Sequence, residues 1–224
     1  MWCIQGGISA DYVCAMEDVL DLYHKAYDPR HPVVCMDETT KQLIAEIKEP
    51  IPVAPGQPAR YEHQYKRQGV ANLFLLLEPL TGDCHIQVTE RHTKKDWALF
   101  IRDLVDQYFP EADTITLVMD NLSTHKKPAL YEVFPPEEAK RIADKLDIHF
   151  TPKHASWLNM AEIGFNILSR QCLGRRIATS EDLTTQVNAW LKSRQDNPPV
   201  VNWQFTTQDA RIKLKRLYPS LQTG

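Results

Sequence analysis

Three acidic residues have the type and setting to do metal chemistry: Asp37 in PVVCMDET, Asp120 in TITLVMDNLSTH and Glu162 in PKHASWLNMAEIGF. Carboxylates are hard oxygen donors suited to Mg²⁺ or Mn²⁺. Two such ions ~4 Å apart can serve both the attacking and the leaving oxygen of a phosphodiester displacement. The apolar runs at 33–36 and 115–119 read as strands buried on both faces, which puts Asp37 and Asp120 at the exposed ends of central strands. A charge at the rim of an apolar core costs several kcal/mol unless water, a cation or a metal meets it.

Each residue also has a structural reading. Asp37 can be a solvated strand end before a polar turn, and Asp120 with Asn121 can form an Asx turn. Asn159 can cap a helix, with Glu162 at the reciprocal capping-box position and Leu158 and Ile163 spaced as a hydrophobic staple. What favours a site is the order: a carboxylate on one strand, carboxylate-Asn on a second, then a carboxylate in the first turn of a helix led in by Trp157, Leu158 and Asn159.

In that order the stretches VVCMDE, LVMDNLSTH and FTPKHASWLNMAEI resemble the three catalytic blocks of the DDE transposases of the mariner-like superfamily, in particular those of bacterial insertion sequences. The resemblance runs from about residue 32 to 176, and its third block is the most specific, because a long stretch agrees in residue type and order. It implies a ribonuclease-H-like fold, a mixed α/β sheet flanked by helices, and two Mg²⁺ or Mn²⁺ ions. Asp37 would bridge both ions, Asp120 would hold one and Glu162 the other. The implied reaction is hydrolytic cleavage of double-stranded DNA at transposon ends, followed by attack of the freed 3′ hydroxyl on target DNA, by a protein that is dimeric when active. Asn121, His125 and Asn159 also match family positions and would orient ligands or water; for His125 a purely structural hydrogen bond is the alternative.

Composition agrees with one enzyme domain: 224 residues, 43% hydrophobic and 25% charged, bury a sizeable core. No apolar run approaches ~18 residues, and the opening MWCIQGGISADYVC has no signal-peptide pattern, so a cytoplasmic protein is expected. Cys3, Cys14, Cys35, Cys84 and Cys172 form no CxxC pair, and the eight histidines show no HExxH spacing, which argues against zinc and a disulfide framework.

The net charge of −3 is unevenly spread: from residue 163 onward nine Lys and Arg face four Asp and Glu. Arg170, Arg175 and Arg176 are candidates to neutralise DNA phosphates, as are Lys153 and His154 ahead of the third block. For Arg211, Lys213, Lys215 and Arg216 a solvated helix face is the competing reading. Trp157 can stack on a base or pack under the sheet.

To position these residues the pattern supplies a short helix at 15–25, a strand to Met36, and a hairpin with a long irregular loop at 41–67, broken by Pro50, Pro52, Pro55 and Pro58. Antiparallel strands follow at 70–77 and 84–89 around Thr81, Gly82 and Asp83. A helix capped by Thr93 carries Trp97, Phe100, Ile101, Leu104 and Tyr108 on one face. Then come the Asp120 strand, a helix at 137–146, a strand at 148–151 and the Glu162 helix. The order β-β-β-α-β-α-β-α permits the ribonuclease-H-like fold. The expected organisation is a helical lead-in at 1–31, a catalytic domain at 32–176 and a basic helical extension at 177–224, with a helix through Leu183, Val187, Trp190 and Leu191, a break at Asn197-Pro198-Pro199 and a last helix at 209–217.

Two features depart from the family pattern. Relatives carry an N-terminal helix-turn-helix region that reads transposon ends, so this chain is expected to be a catalytic half, either truncated or working with a separate helix-turn-helix polypeptide. Gly164 stands where relatives place a larger residue, and a glycine inside a helix costs ~1 kcal/mol relative to alanine, which would loosen the turn carrying Glu162. The rival readings are an inactive DNA-binding relic, another ribonuclease-H-like nuclease, and a haloacid-dehalogenase-type phosphatase. The phosphatase lacks its second Asp, since Thr39 stands two residues after Asp37.

Overall fold

The computed structural model describes residues 9–48, 51–58, 63–122, 125–196 and 198–219. Helix α1 (Ala10–Leu22) leads into β1 (Val33–Glu46), β2 (Tyr65–Leu77) and β3 (Cys84–Thr89). Then follow α2 (Lys94–Asp103), β4 (Ile115–Met119), α3 (Pro128–Val133), α4 (Pro136–Asp144), β5 (Leu146–Phe150), α5 (Ala161–Gln171), α6 (Ser180–Arg194) and α7 (Thr207–Lys213). The five strands form one mixed sheet in the order β3-β2-β1-β4-β5. β1 pairs antiparallel with β2 and parallel with β4, while β2–β3 is antiparallel and β4–β5 parallel.

Alternation along the strands feeds two cores. Cys35, Leu73, Leu75 and Val118 face one side, where α1, α5 and α6 cover them with Leu20, Phe165, Leu168 and Val187. Val34, Met36, Phe74, Leu117 and Met119 face the other, under Trp97, Phe100 and Ile101 of α2 and Ile142 of α4. Because both faces are covered, the central strands are continuously apolar. α2 begins as its sequence dictates, with Thr93 and Asp96 closing a reciprocal capping box. It then widens into a single π-helical turn, Leu104–Tyr108.

Several expected boundaries shift. β1 does not stop at Met36: it continues to Glu46, because β2 starts at Tyr65 and pairs with its distal half. The irregular part of the 41–67 hairpin therefore shrinks to the residues between these strands. The distal half of β1 is held to the body where the Ile44 N–H donates to the Ile177 carbonyl at 2.7 Å and Lys41 Nζ to the Leu173 carbonyl at 2.7 Å. The lead-in helix starts earlier than 15, at Ala10, capped by Ser9. α3 was not expected from the pattern, being only one and a half turns behind Pro128. The last helix is shorter than 209–217, running Thr207–Lys213 with a 3₁₀ turn at Lys215–Leu217. Cys3, Pro50 and Asn197 lie outside the described residues.

Candidate active site

Asp37 is not at the end of its strand but at the level where the neighbouring strand ends. The parallel register runs Val33–Thr116, Val34–Leu117, Cys35–Val118. Two residues further, Asp37 on β1 comes level with Asp120, the first residue after β4. Parallel pairing thus aligns the two carboxylates, and Asp120 reaches open space because its own strand has stopped. Burial pushes the Asp37 carboxyl up to about 7; the Glu38 N–H, donating to Asp37 Oδ1 at 2.8 Å, opposes the shift, and the charges of Asp120, Glu162 and Glu38 add to it. Asp120 and Glu162 therefore both act on Asp37 through space.

Glu162 stands in the first turn of α5, and its charge bears on Asp37. The capping-box alternative is not realised: the position before the helix is Met160, which supplies no side-chain cap. Asn159 is used otherwise. It is 3% exposed, its Nδ2 donates to the Met36 carbonyl at 2.8 Å, and its Oδ1 accepts the Ala161 N–H at 3.1 Å. The Glu162 N–H in turn donates to the Asn159 carbonyl at 3.1 Å. At Gly164, the residue expected to loosen this turn, a Cβ would sit 3.2 Å from both methyl carbons of the buried Leu75, tighter than ordinary contact, so the glycine eases the packing of α5 on β2.

His125 is 2% exposed, stacked on Trp97 with ring centroids 5.8 Å apart. Its Nε2 lies 3.2 Å from Glu38 Oε2 and its Nδ1 3.9 Å from Asp120 Oδ1. Both Nε2 and Glu38 Oε2 are buried without a properly directed hydrogen bond, so charge rather than a shared proton geometry couples them. Burial disfavours the charged ring, but the flanking Asp120 and Glu38 outweigh it and hold the His125 pKa above its usual value. Glu38 is a residue that the sequence reading missed. Its only signal was its position one residue after Asp37 on a continuing strand, which turns it to the α2 face.

The remaining candidates divide. Asn121, Lys153 and His154 line one open groove with Ser9, Tyr12 and Phe150, next to Asp120. His154 has φ 60°, in the left-handed region. Arg170 lies eight residues beyond Glu162 on α5, which is about 12 Å along the helix. Arg175 Nε donates to Gln186 Oε1 at 2.9 Å, and Arg176 is paired with Glu46 at 2.6 Å and sits over the Tyr65 ring. Trp157 packs: its ring stacks on Trp203 at 6.5 Å and meets Phe205 edge-on.

Among the described residues, no group of three His, Cys, Asp or Glu side chains closes around a single point. The donor chemistry nonetheless fits a divalent cation: the charges of Asp120 and Glu162 both bear on Asp37, whose carboxyl is hard to ionise without positive charge nearby.

The family model of the DDE superfamily endonucleases matches residues 32–184. A search of the curated proteins returned no match. Among solved structures the fold is similar to the catalytic domain of Mos1 mariner transposase, at a TM-score of 0.54 and 11% identity, over 87% of this chain and 87% of that one. It is likewise similar to the Mos1 strand transfer complex, at 0.58 and 13% identity, over 88% of this chain and 60% of that chain. The Mos1 paired end complex with Mn gives 0.57 and 13%, with the same coverage. This chain therefore spans 60% of the longer Mos1 chains it matches. The five-stranded mixed sheet covered by helices is the ribonuclease-H-like architecture of that catalytic domain. With the matched span running from the strand of Asp37 past the helix of Glu162, the chain belongs to the DDE superfamily endonucleases.

Proposed function

We propose that this chain is the catalytic domain of an insertion-sequence transposase that cleaves and joins double-stranded DNA with divalent cations. The observation that carries the reading is the register that brings Asp37 level with Asp120 while the charges of Asp120 and Glu162 both bear on Asp37. Asp37, Asp120 and Glu162 would hold Mg²⁺ or Mn²⁺, with Asp37, on which the charges of both the others bear, as the shared ligand of a pair of ions. When bound, such ions activate the attacking oxygen and neutralise charge on the leaving one. The protein's own part is to hold the carboxylates. Asp37 is fixed by its strand and by the Glu38 N–H, Asp120 is drawn by His125, and Glu162 is set by the turn at Asn159.

DNA would approach along the groove of Asn121, Lys153 and His154, with Arg170 and Arg175 as outlying phosphate contacts. Arg176 is the weaker candidate, since releasing it from Glu46 has a cost. Reading of transposon ends is assigned to a helix-turn-helix region outside the fold described here, and a dimer on DNA is the working assembly.

The test is nicking of supercoiled plasmid with Mn²⁺ or Mg²⁺, by the wild-type chain and by Asp120→Asn. Metal-dependent nicking that the substitution abolishes supports the enzyme. Absence of nicking by the wild-type chain, with or without a supplied end-reading partner, would leave a DNA-binding relic. A mutant that still nicks would make Asp120 a turn residue only.

A further inference from the structure

We infer that Tyr23, on the lead-in helix, and Asn159 form a two-point brace that sets the separation of Asp37 and Glu162, so both are positioning residues for the cation site. This rests on the reading of that site given above. Tyr23 lies at the C-terminal cap of α1, before the span that the family model matches, and is 7% exposed. Its hydroxyl donates to the Leu158 carbonyl at 2.6 Å and lies 3.4 Å from Cys35 Sγ. Because the hydroxyl hydrogen is committed to Leu158, the Cys35 thiol is the donor of the second contact. Burial, which keeps that thiol protonated, agrees with this assignment.

The consequence is geometric. The turn that carries Glu162 is tied to β1 at two successive residues. Leu158 is tied to Cys35 through Tyr23, and Asn159 is tied to the Met36 carbonyl directly. Cys35 and Met36 are the two residues before Asp37. The same Asn159 then fixes the start of α5 through the N–H groups of Ala161 and Glu162. Strand and helix have no covalent connection shorter than 125 residues between Asp37 and Glu162, so these bonds, with the packing of Gly164 on Leu75, decide how far apart the two carboxylates stand. A ligand pair held loosely must be ordered when a cation binds, and that ordering weakens affinity.

Tyr23→Phe is the informative substitution, because the ring keeps its packing beside Trp203, 5.4 Å between centroids, and only the hydroxyl is lost. Asn159→Ala removes the second tie. On the full chain, Mn²⁺ affinity is measured by titration calorimetry well below the melting temperature, the half-saturating Mn²⁺ for plasmid nicking is compared with the rate at saturation, and amide hydrogen exchange is followed at Ala161 and Glu162 in metal-free protein. For Tyr23→Phe the expected result is a 3–10-fold weaker Mn²⁺ affinity, a matching rise in half-saturating Mn²⁺, a saturated rate within about 3-fold of wild type, and faster exchange at both amides. A merely structural hydroxyl would lower the melting temperature and leave affinity and half-saturation unmoved, which overturns the brace. If the wild-type chain neither binds Mn²⁺ nor nicks DNA, it is the cation-site reading that fails. The exchange data then still decide the brace, since unchanged exchange at Ala161 and Glu162 in both variants rejects it. Asn159→Ala is expected to behave like Tyr23→Phe but more strongly; should it not fold, the Tyr23→Phe result stands alone.

Discussion

Asp37 bears most of the electrostatic cost of the site: burial alone raises its pKa, and three neighbouring carboxylates add to it. Replacing it by asparagine keeps the shape and removes the charge. At pH 8 in the absence of metal, Asp37→Asn is expected to raise stability by about 1–3 kcal/mol in urea denaturation. Stabilisation by Mn²⁺ is then lost, because only binding to the folded state raises stability. An unchanged or lower metal-free midpoint would show that the carboxylate is better solvated than its position implies. In the sequence Asp37 and Asp120 stood out because each follows a short apolar run of strand length, and Glu162 because of the order of residues leading into its helix. Glu38 and the partners of His125 were not legible there, because which face a residue takes depends on whether the strand goes on, and β1 goes on only through its pairing with β2.

At the level of elements, close approach of α5 to the sheet is what carries Glu162 toward Asp37. Gly164→Ala should therefore destabilise the protein by about 1–2 kcal/mol, although alanine is the better helix former by ~1 kcal/mol, because the tightly packed, buried Leu75 would have to shift to admit a Cβ. The same substitution combined with Leu75→Val should cost less than the sum of the two, which a double-mutant cycle measures. A stabilising Gly164→Ala would mean that propensity wins and the close approach is not needed. The opposite expectation from sequence rests on helix propensity alone; the contact with Leu75, invisible in one sequence, is what this measurement weighs against it. α1 is docked by a different device. His149 on β5 bonds Asp18 at 2.6 Å through Nδ1, while Nε2 lies 3.1 Å from Asp147 Oδ2 without good hydrogen-bond geometry. Burial lowers the His149 pKa, but the two carboxylates outweigh it and the net shift is upward. A raised histidine pKa stabilises the fold fully below the unfolded value of ~6.5, and that contribution disappears as pH rises through the folded value. The difference in stability between wild type and His149→Gln should thus be about 0.5–1 kcal/mol at pH 5.5 and near zero at pH 9. A difference independent of pH would make His149 a packing residue.

The whole molecule joins a mixed sheet, whose succession of strands along the chain the sequence anticipated, to a C-terminal extension in which several basic residues are paired. Alternation of strand and helix patterns was readable because each element has its own period. The basic count after residue 163 was readable too, but its pairing was not: Arg211 is tied to Glu17 at 2.8 Å, Lys213 to Asp209 at 3.1 Å, and Arg176 to Glu46. DNA binding by this chain should therefore be weak, with log K falling against log salt at a slope of about −5 or shallower, rather than the roughly −8 that all nine cations would give. A slope near −8 would show that these pairs open on DNA. The account stands or falls on whether three carboxylates from β1, the end of β4 and α5 make one cation site. Calorimetric titration of Mn²⁺ into the wild-type chain and into Asp37→Asn, Asp120→Asn and Glu162→Gln tests this most directly. Saturable binding by the wild type that each substitution weakens at least 10-fold is the expected result. No binding by the wild type, or undiminished binding by any one of the three variants, would contradict it.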